Sequence, residues 1–255
     1  MTVYELNKYM NQRIPRELSC AWDNDGLMCC PDGSREVRKA LFCMDVTPEA
    51  IDYAIENGYD TIISHHPLIF KGVKSVSGDF GIPARIIKLI KNDVSVMSFH
   101  TRFDAVDGGV NDRLAEIFEL SNVEKIECDG IEMMRVGDLP KAISLEDFVA
   151  LVKEKLGCEY INYASCSGMV HRLALLGGGG GGGIRDAHNA GADTYLSGEI
   201  GYHNLTDCKD HHLNLVEAGH YFTENPALKG LAQFVLDADS SIECGFYESN
   251  VIKQI

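Results

Sequence analysis

The sequence lacks the features that would place the chain in a membrane or in an oxidising compartment. No apolar run approaches the roughly 20 residues that span a bilayer, and the first residues, MTVYELNKYMNQRIP, are polar instead of forming a hydrophobic leader. The nine cysteines are odd in number and include no Cys-x-x-Cys pair, so neither a disulfide framework nor a zinc knuckle is indicated. These absences predict a cytoplasmic protein with free thiols.

Basic residues are also scarce. The chain has 23 Lys and Arg against 38 Asp and Glu, which gives a net charge of −15, and we find no basic stripe. Such a surface repels phosphate backbones at long range, so nucleic acid is not expected as a partner. With 45% hydrophobic and 24% charged residues over 255 positions, the composition is that of a globular protein with one large domain or two modest ones.

The sequence does contain an alternation of short apolar runs and amphipathic stretches, which predicts an α/β fold. Strands are predicted at 37–46, 60–64, 94–99, 172–176, 193–196 and 214–217, and helices at 48–57, 82–92, 110–118, 145–156, 184–190 and 225–236. We expect two facing α/β lobes, with mainly parallel sheets and helices on both faces. The polar segment 121–130 suggests lobes at 1–125 and 126–255, with the chain from about 214 onward returning to the cleft.

Seven consecutive glycines, Gly177–Gly183, follow one predicted strand and precede a helix. Such a turn can bind an anion through the backbone N–H groups at the helix start. Alternatively, the glycines allow two backbones to pack closely. The run satisfies the dinucleotide-binding pattern Gly-x-Gly-x-x-Gly only because every position is glycine, so that match carries almost no information.

Three apolar runs end abruptly in histidine and carboxylate residues: TIISHHP at 61–67, VSVMSFHTRFD at 94–104 and LVEAGHYFTE at 215–224. Functional groups collect at the carboxyl ends of strands in open parallel sheets. One polar strand end is common, but three that all carry metal-ligand side chains are not. The pattern therefore predicts a two-metal centre in the cleft between the lobes, with five ligands: His65, His66, Asp104, His220 and Glu224.

The spacing of these residues suggests individual roles. His65 and His66 should point to opposite faces of an extended strand, which suits two different ions. His220 and Glu224 are spaced i, i+4 and can face one point, where the Glu224 carboxylate can bridge two cations. His100 could be a ligand itself or could orient one, and we expect the orienting role. Taken singly, each residue also fits a capping, core or helix-start role.

Mixed nitrogen and oxygen donors suit two divalent ions such as Zn, Fe or Mn without selecting one. Five residues cannot saturate two ions, so water or hydroxide should fill the remaining positions, and a bridging hydroxide is a nucleophile near neutral pH. His100, Glu199 and His203 are candidates for a catalytic acid or base. Neither serine nor cysteine occurs in a recognisable nucleophile setting, and Gly-x-Ser-x-Gly is absent.

Several stretches resemble the dinuclear-metal family of GTP cyclohydrolase I type 2 homologs, the NGG-interacting-factor-three-like proteins. They are Trp22-Asp23-Asn24 with Gly26-Leu27, SHHPLIF at 64–70, HTRFDAVDGGVNDRLA at 100–115, GADTYLSGEIGYH at 191–203 and AGHYFTE at 218–224. The resemblance implies the same five ligands, two α/β lobes and a ring-shaped homohexamer. Two departures stand out: the usual HTNLD reads HTRFD, which is expected to alter the cleft wall, and the usual short glycine turn has seven glycines.

Two classes of function follow from the metal centre. The first is a metal-dependent hydrolase that acts on a nucleotide-like anion, either as a GTP cyclohydrolase that releases formate from the guanine imidazole ring or as a phosphoesterase. The second is a non-enzymatic, metal-loaded oligomeric ring that binds partners or handles metal. Open metal positions would favour the first class and saturated ions the second.

Overall fold

A computed structural model describes residues 1–252, and their contacts divide most of the chain into two compact units. The first comprises Met1–Phe103 and Leu228–Val251, and the second comprises Asp104–Ala227. This division differs from the lobes expected at 1–125 and 126–255. It assigns Asp104 to the second unit and returns the C-terminal segment to the first. Within residues 1–252, no helix has the length and apolar composition that crossing a bilayer requires.

The first unit contains five strands, and helices alternate with most of them along the chain. Its strands are β1 (Gly26–Cys29), β2 (Lys39–Cys43), β3 (Thr61–Ser64), β4 (Ser95–Ser98) and β11 (Glu243–Phe246). Its helices are α1 (Val3–Arg13), a 3₁₀ turn (Arg16–Leu18), α2 (Pro48–Glu56), α3 (Gly81–Lys91) and α10 (Leu228–Ala238). Helix α4 (Thr101–Ala105) spans the division between the units.

The sheet of the first unit has the order β1-β4-β3-β2-β11 and is parallel except for β1. Leu41, Ile62 and Val96 lie side by side on its three central strands and are fully buried. They share an apolar core with Ala54 of α2 and Leu89 of α3. The predicted strands at 37–46, 60–64 and 94–99 are confirmed, with ends shortened by at most three residues.

The second unit has six strands. They are β5 (Ser121–Cys128), β6 (Ile131–Ser144), β7 (Asn162–Ala164), β8 (Met169–Gly179), β9 (Thr194–Glu199) and β10 (Asn214–Glu217). The helices are α5 (Val110–Ile117), α6 (Leu145–Leu156), α7 (Ile184–Asn189), α8 (Tyr202–Thr206), α9 (His220–Glu224) and a 3₁₀ turn (Asn225–Ala227). The helix predicted at 225–236 therefore starts as a 3₁₀ turn and becomes α-helical at Leu228.

The sheet of the second unit is mixed, with the order β5-β6-β8-β9-β10-β7. Strands β8, β9 and β10 are parallel, as expected, whereas the other pairings are antiparallel. Leu175, Leu196 and Val216 form a buried row that packs with Phe148 and Val152 of α6. The α/β class is confirmed as two sheets flanked by helices.

Local sequence explains where several helices begin. Thr2 forms a capping box with Glu5 at the start of α1. The Thr47 side chain caps α2, whose first residue is Pro48. Ser144 caps α6 by accepting a hydrogen bond from the Asp147 N–H. These caps fix the starting points of helices that cover the two sheets.

Candidate metal centre

Three histidines of the first unit come together beyond the carboxyl ends of two neighbouring strands of its sheet. His65 and His66 follow β3, and His100 lies two residues beyond β4. Ser64 and Ser98, the last residues of these parallel strands, are register partners. The ring centroids are 5.1 Å apart for His65 and His66, 5.3 Å for His65 and His100, and 5.6 Å for His66 and His100. The prediction that functional groups collect at these strand ends is thus confirmed for the first unit.

Hydrogen bonds orient the rings of His65 and His66. The Nδ1 atom of His65 lies 3.0 Å from the Phe99 carbonyl oxygen. A carbonyl only accepts, so this nitrogen carries the proton. The Nδ1 atom of His66 lies 2.8 Å from Oδ1 of Asp45. Anchoring Nδ1 to a carbonyl or carboxylate leaves Nε2 as the donor nitrogen, which is the usual arrangement of a metal-binding histidine.

His100 has the same kind of anchor. Its Nδ1 lies 2.8 Å from Oδ1 of Asp23, whose other oxygen accepts hydrogen bonds from the N–H and hydroxyl of Thr101 at 3.1 and 2.6 Å. Burial raises the pKa of Asp23, but the hydrogen bonds from His100 and Thr101 outweigh that effect and lower its pKa to about 2. Asp23 is therefore an ionised carboxylate that fixes the His100 ring.

The three anchored rings form a set of nitrogen donors. One nitrogen of each lies within 4.8 Å of those of the other two, and His65 is almost fully buried. Such a set fits a transition metal such as zinc. Two expectations change. The rings of His65 and His66 are neighbours and do not diverge, because β3 ends at Ser64 and the strand alternation ends with it. His100 was expected to orient a ligand, but one of its ring nitrogens lies within 4.8 Å of nitrogens of His65 and His66, as a ligand's would.

In the second unit, His220 and Glu224 form a pair at the corresponding sheet edge. Both lie on α9, shortly after β10, and Glu224 is 4% exposed. The Nε2 atom of His220 is 3.2 Å from Oε2 of Glu224. Its Nδ1 atom is 3.3 Å from Oε1 of Glu199, the last residue of β9. The i, i+4 spacing therefore brings the two predicted ligands together, and Glu199 orients the imidazole.

Glu217 organises the loop that follows Glu199. Its Oε2 accepts hydrogen bonds from the N–H groups of Ile200 and Gly201 at 2.6 and 2.9 Å, and its Oε1 accepts one from Asn162. Burial raises the pKa of Glu217, but these three hydrogen bonds outweigh it and lower the pKa. This carboxylate is a structural support that the sequence analysis missed.

The glycine run packs against the ligand pair. Strand β8 continues through Gly179, so the first glycines belong to a strand and not to a turn. The Gly178 N–H donates to Oγ1 of Thr223 at 3.0 Å. A Cβ on Gly178 would lie 3.0 Å from Cδ of Glu224 and 3.2 Å from Nε2 of His220. Close packing, one of the two interpretations of the run, thus explains Gly178.

Asp104 lies on α4 and is 8% exposed. Its backbone carbonyl accepts a hydrogen bond of 3.1 Å from Nδ2 of Asn111, and Oδ1 of Asn111 accepts one of 2.8 Å from the Gly177 N–H. Asn111 is fully buried. It ties the predicted ligand Asp104 to the glycine strand that also contacts Glu224. Its place in the segment DGGVND was visible in the sequence, but its role depends on contacts between distant residues.

His203 and Tyr202 occupy an exposed position on α8. Their rings meet edge to face, with centroids 5.5 Å apart. Among residues 1–252, His203 belongs to no group of three metal-donor side chains. Three residues were candidates for a catalytic acid or base. His100 lies beside His65 and His66, and Glu199 contacts His220. His203 belongs to neither group.

Arg102 is one of the residues by which HTRFD differs from the usual HTNLD, a change that was expected to alter the cleft wall. Its side chain is fully buried and does not line a wall. Its Nε donates to Oδ2 of Asp25 at 2.8 Å, and one terminal nitrogen donates to Oδ1 of Asn11 and to the Ile14 carbonyl. Burial lowers the pKa of Arg102, while Asp25 opposes that change. The arginine thus helps to build the first unit beneath His100.

Comparisons with known proteins show which family and fold the chain matches. A family model described as Duf34/NIF3 (NGG1p interacting factor 3) matches residues 1–254. The chain is 34% identical over 249 residues to a GTP cyclohydrolase 1 type 2 homolog of Clostridium perfringens, with 95% of each chain covered. A crystal structure of the Staphylococcus aureus hypothetical protein SA1388 matches with a TM-score of 0.90 and 28% identity, covering 100% and 99% of the two chains. A Bacillus cereus protein related to NIF3 shares the fold, with a TM-score of 0.91, 22% identity and the same coverage.

Proposed function

The chain belongs to the Duf34/NIF3 family, and from this premise we propose that it binds two divalent metal ions and hydrolyses a nucleotide-like anionic substrate. The proposed ligands are His65, His66, Asp104, His220 and Glu224. The observation that carries the proposal is the anchored histidine set, in which each Nδ1 is held by a carbonyl or carboxylate and one nitrogen per ring lies within 4.8 Å of the others.

The donor inventory supports two ions instead of one. The proposed ligands and His100 together offer four imidazoles and two carboxylates, which exceeds the four positions of a single tetrahedral ion. Zn, Fe and Mn all accept such mixed donors. Ions in such a site activate bound water at neutral pH and attract an anionic group of the substrate.

The residues of the chain would divide the remaining work. Asp23 and Asp45 hold His100 and His66 through Nδ1, and Glu199 holds His220 in the same way. Glu199 is 65% exposed at its side chain, so it can also exchange protons with solvent. We assign Glu199 the role of acid or base in the proposed reaction, because it is the exposed carboxylate beside a ligand pair.

The test is metal content together with turnover on freshly purified protein. Elemental analysis should give about two transition-metal ions per chain, in line with the two-metal sites of hydrolases. A panel of GTP, ATP and simple phosphate monoesters then assigns the reaction. Formate release from GTP would identify a cyclohydrolase, and phosphate release would identify a phosphoesterase.

Three results would count against the proposal in different ways. A reproducible stoichiometry near zero under metal-replete conditions would remove the metal site. Two bound ions without turnover on any nucleotide would favour the non-enzymatic alternative, a metal-loaded ring. Turnover that survives complete metal removal would leave the site without a part in the reaction.

We also propose a homo-oligomer, specifically a hexamer, on the basis of the family resemblance alone. Light scattering at micromolar concentration should give six times the 28.1 kDa chain mass. A monomer mass would contradict it.

A further inference from the structure

Two exposed aromatic rings border the histidine set of the first unit. Trp22 is 58% exposed and Phe70 is 45% exposed. Their ring centroids lie 6.1 Å apart, and they lie 6.1 and 6.2 Å, respectively, from the ring of His100. Single exposed aromatics need no explanation. A pair of them in contact with a candidate metal-binding histidine does, because each leaves a large apolar surface in water.

The loops that carry these rings are fastened. The Cys20 N–H donates to Oγ1 of Thr101 at 3.0 Å, and the Asp23 N–H donates to the Cys20 carbonyl at 2.9 Å. Asn24 donates from Nδ2 to the Ile69 carbonyl, which joins the loop of Trp22 to that of Phe70. The exposure of the two rings is therefore a property of an ordered surface.

The arrangement of the rings leaves aromatic surface available to a ligand. Trp22 meets both Phe70 and His100 in edge-type contacts with interplanar angles of 71°. An edge-to-face contact uses the edge of one ring and one face of the other. Aromatic side chains at such positions stack on the faces of nucleobases with little dependence on which base is present.

We propose that Trp22 and Phe70 form a stacking subsite for the planar heteroaromatic ring of the substrate. A ring held there lies beside His100 and hence beside the histidine donors. This inference rests on the proposed function and narrows it to substrates that contain a nucleobase-like ring. It disfavours simple phosphate esters, which have no ring to stack.

The fluorescence of the chain allows a direct test, since Trp22 is its single tryptophan. Metal-loaded protein is titrated with guanosine, adenosine, GTP and inorganic triphosphate, and free N-acetyltryptophanamide corrects for absorption by the bases. The two nucleosides and GTP should quench Trp22 emission saturably, because a stacked base contacts the indole. Inorganic triphosphate should produce no saturable quenching.

Two matched variants keep Trp22 as the reporter. Phe70→Leu should weaken guanosine binding about 5- to 100-fold, the range expected for loss of one base-stacking contact. Phe80→Leu removes another phenylalanine of the same unit, which is 85% exposed, and should leave the affinity unchanged. Trp22→Leu, followed by equilibrium dialysis with labelled guanosine, should weaken binding to a similar degree. Unchanged metal content shows that each variant is folded.

The possible outcomes separate this inference from the proposed function. Guanosine binding that depends on Phe70 without any turnover supports the subsite and contradicts the hydrolase. Hydrolysis of a ring-free phosphate ester with the same kcat/KM as GTP supports the hydrolase and overturns the subsite. Absence of saturable quenching by either nucleoside overturns the subsite. Normal guanosine binding by the Phe70→Leu variant also overturns it, even if the oligomeric mass of that variant has changed.

Discussion

Gly178 leaves no room for a side chain beside Glu224. A Cβ at this position would approach the Glu224 carboxyl carbon to 3.0 Å and the carboxylate oxygen Oε1 more closely still. Real Cβ atoms almost never come this close to another atom, so the Glu224 side chain or the backbone of Gly178 would have to move. The backbone of Gly178 also has φ +65°, which a residue with a side chain adopts only at a cost. Glycine at this position therefore lets a strand pass directly against a proposed ligand.

Gly178→Ala should displace Glu224 and His220 and so lower metal affinity. We expect a loss of about tenfold or more, since changes in the groups that support ligands typically cost 10- to 100-fold. The positive φ alone should lower the free energy of unfolding by about 1–3 kcal/mol. Metal titration and thermal unfolding measure the two effects.

Gly179→Ala is the matched control for that change. A Cβ on Gly179 meets no atom within 4 Å, and its φ lies outside the left-handed region. The variant should retain wild-type metal affinity. Equal losses in the two variants would show that the glycines contribute chain flexibility instead of close approach.

The run Gly177–Gly183 illustrates what sequence can predict at this site. The composition indicated either an anion-binding turn or close backbone packing, and only the three-dimensional position of Glu224 distinguishes them at Gly178. Likewise, strand ends rich in histidine predicted the grouping of His65 with His100. The anchors Asp23 and Asp45 were not predicted, because each reaches its histidine from a separate loop and no local pattern marks the contact.

Glu224→Gln should lose more metal than His100→Ala. Glu224 is proposed to bind through a buried carboxylate that can bridge two ions, and the amide removes its charge. His100 supplies one of three imidazoles in its set, and His65 and His66 remain anchored without it. Elemental analysis of both variants after identical dialysis is the measurement. A larger loss from His100→Ala would mean that the histidine set dominates metal binding.

Asp45→Ala should weaken metal binding through His66. The Asp45 carboxylate accepts the hydrogen bond from Nδ1 and so fixes the ring with Nε2 free to bind. Its loss should lower metal affinity by about 10- to 100-fold. Asp52→Ala is the control, since Asp52 is a comparably exposed acid of the same unit that pairs with Lys88. If both variants keep full affinity, the Asp45 contact has no part in metal binding.

The domain division shows where sequence reasoning fails for physical reasons. The segment 121–130 was interpreted as a boundary because it is polar, yet residues 121–128 form edge strand β5, in which six of the eight residues are exposed. An edge strand needs few apolar residues, because only one of its sides is paired. Strand β11 pairs with β2 across about 200 residues of chain. The pairing of β11 with β2 leaves no local signal. The Asp129-Gly130 turn between β5 and β6 does leave one, as do the capped helices α2 and α6.

Asp25→Ala should destabilise the first unit strongly. It removes the partner of Arg102, whose side chain is fully buried, and breaking a buried pair from one side typically costs about 3–5 kcal/mol. Urea unfolding followed by Trp22 emission reports on this unit. The double variant Asp25→Leu with Arg102→Leu should recover part of the loss, because no charge is then left buried.

Glu243→Ala provides the surface comparison. Glu243 pairs with Lys39 at 3.0 Å and is 67% exposed at its side chain, so its removal should cost less than about 1 kcal/mol. A cost for Asp25→Ala as small as that for Glu243→Ala would show that water or a neighbouring group compensates Arg102.

Chelators should abolish turnover, whereas thiol-alkylating reagents should leave most of it intact. Six of the nine cysteines are buried. Burial raises the pKa of Cys29 to about 11 and that of Cys128 to about 12, so these groups are protonated thiols at neutral pH and react slowly. Metal ions held by the proposed ligands would supply activated water, so the proposed reaction needs no protein nucleophile. Turnover is therefore measured after dialysis against a chelator, after restoration of metal, and after treatment with iodoacetamide.

Restored metal should recover the rate, and alkylation of the accessible cysteines should not remove it. Trapping a covalent substrate adduct on a cysteine or serine would contradict this mechanism directly.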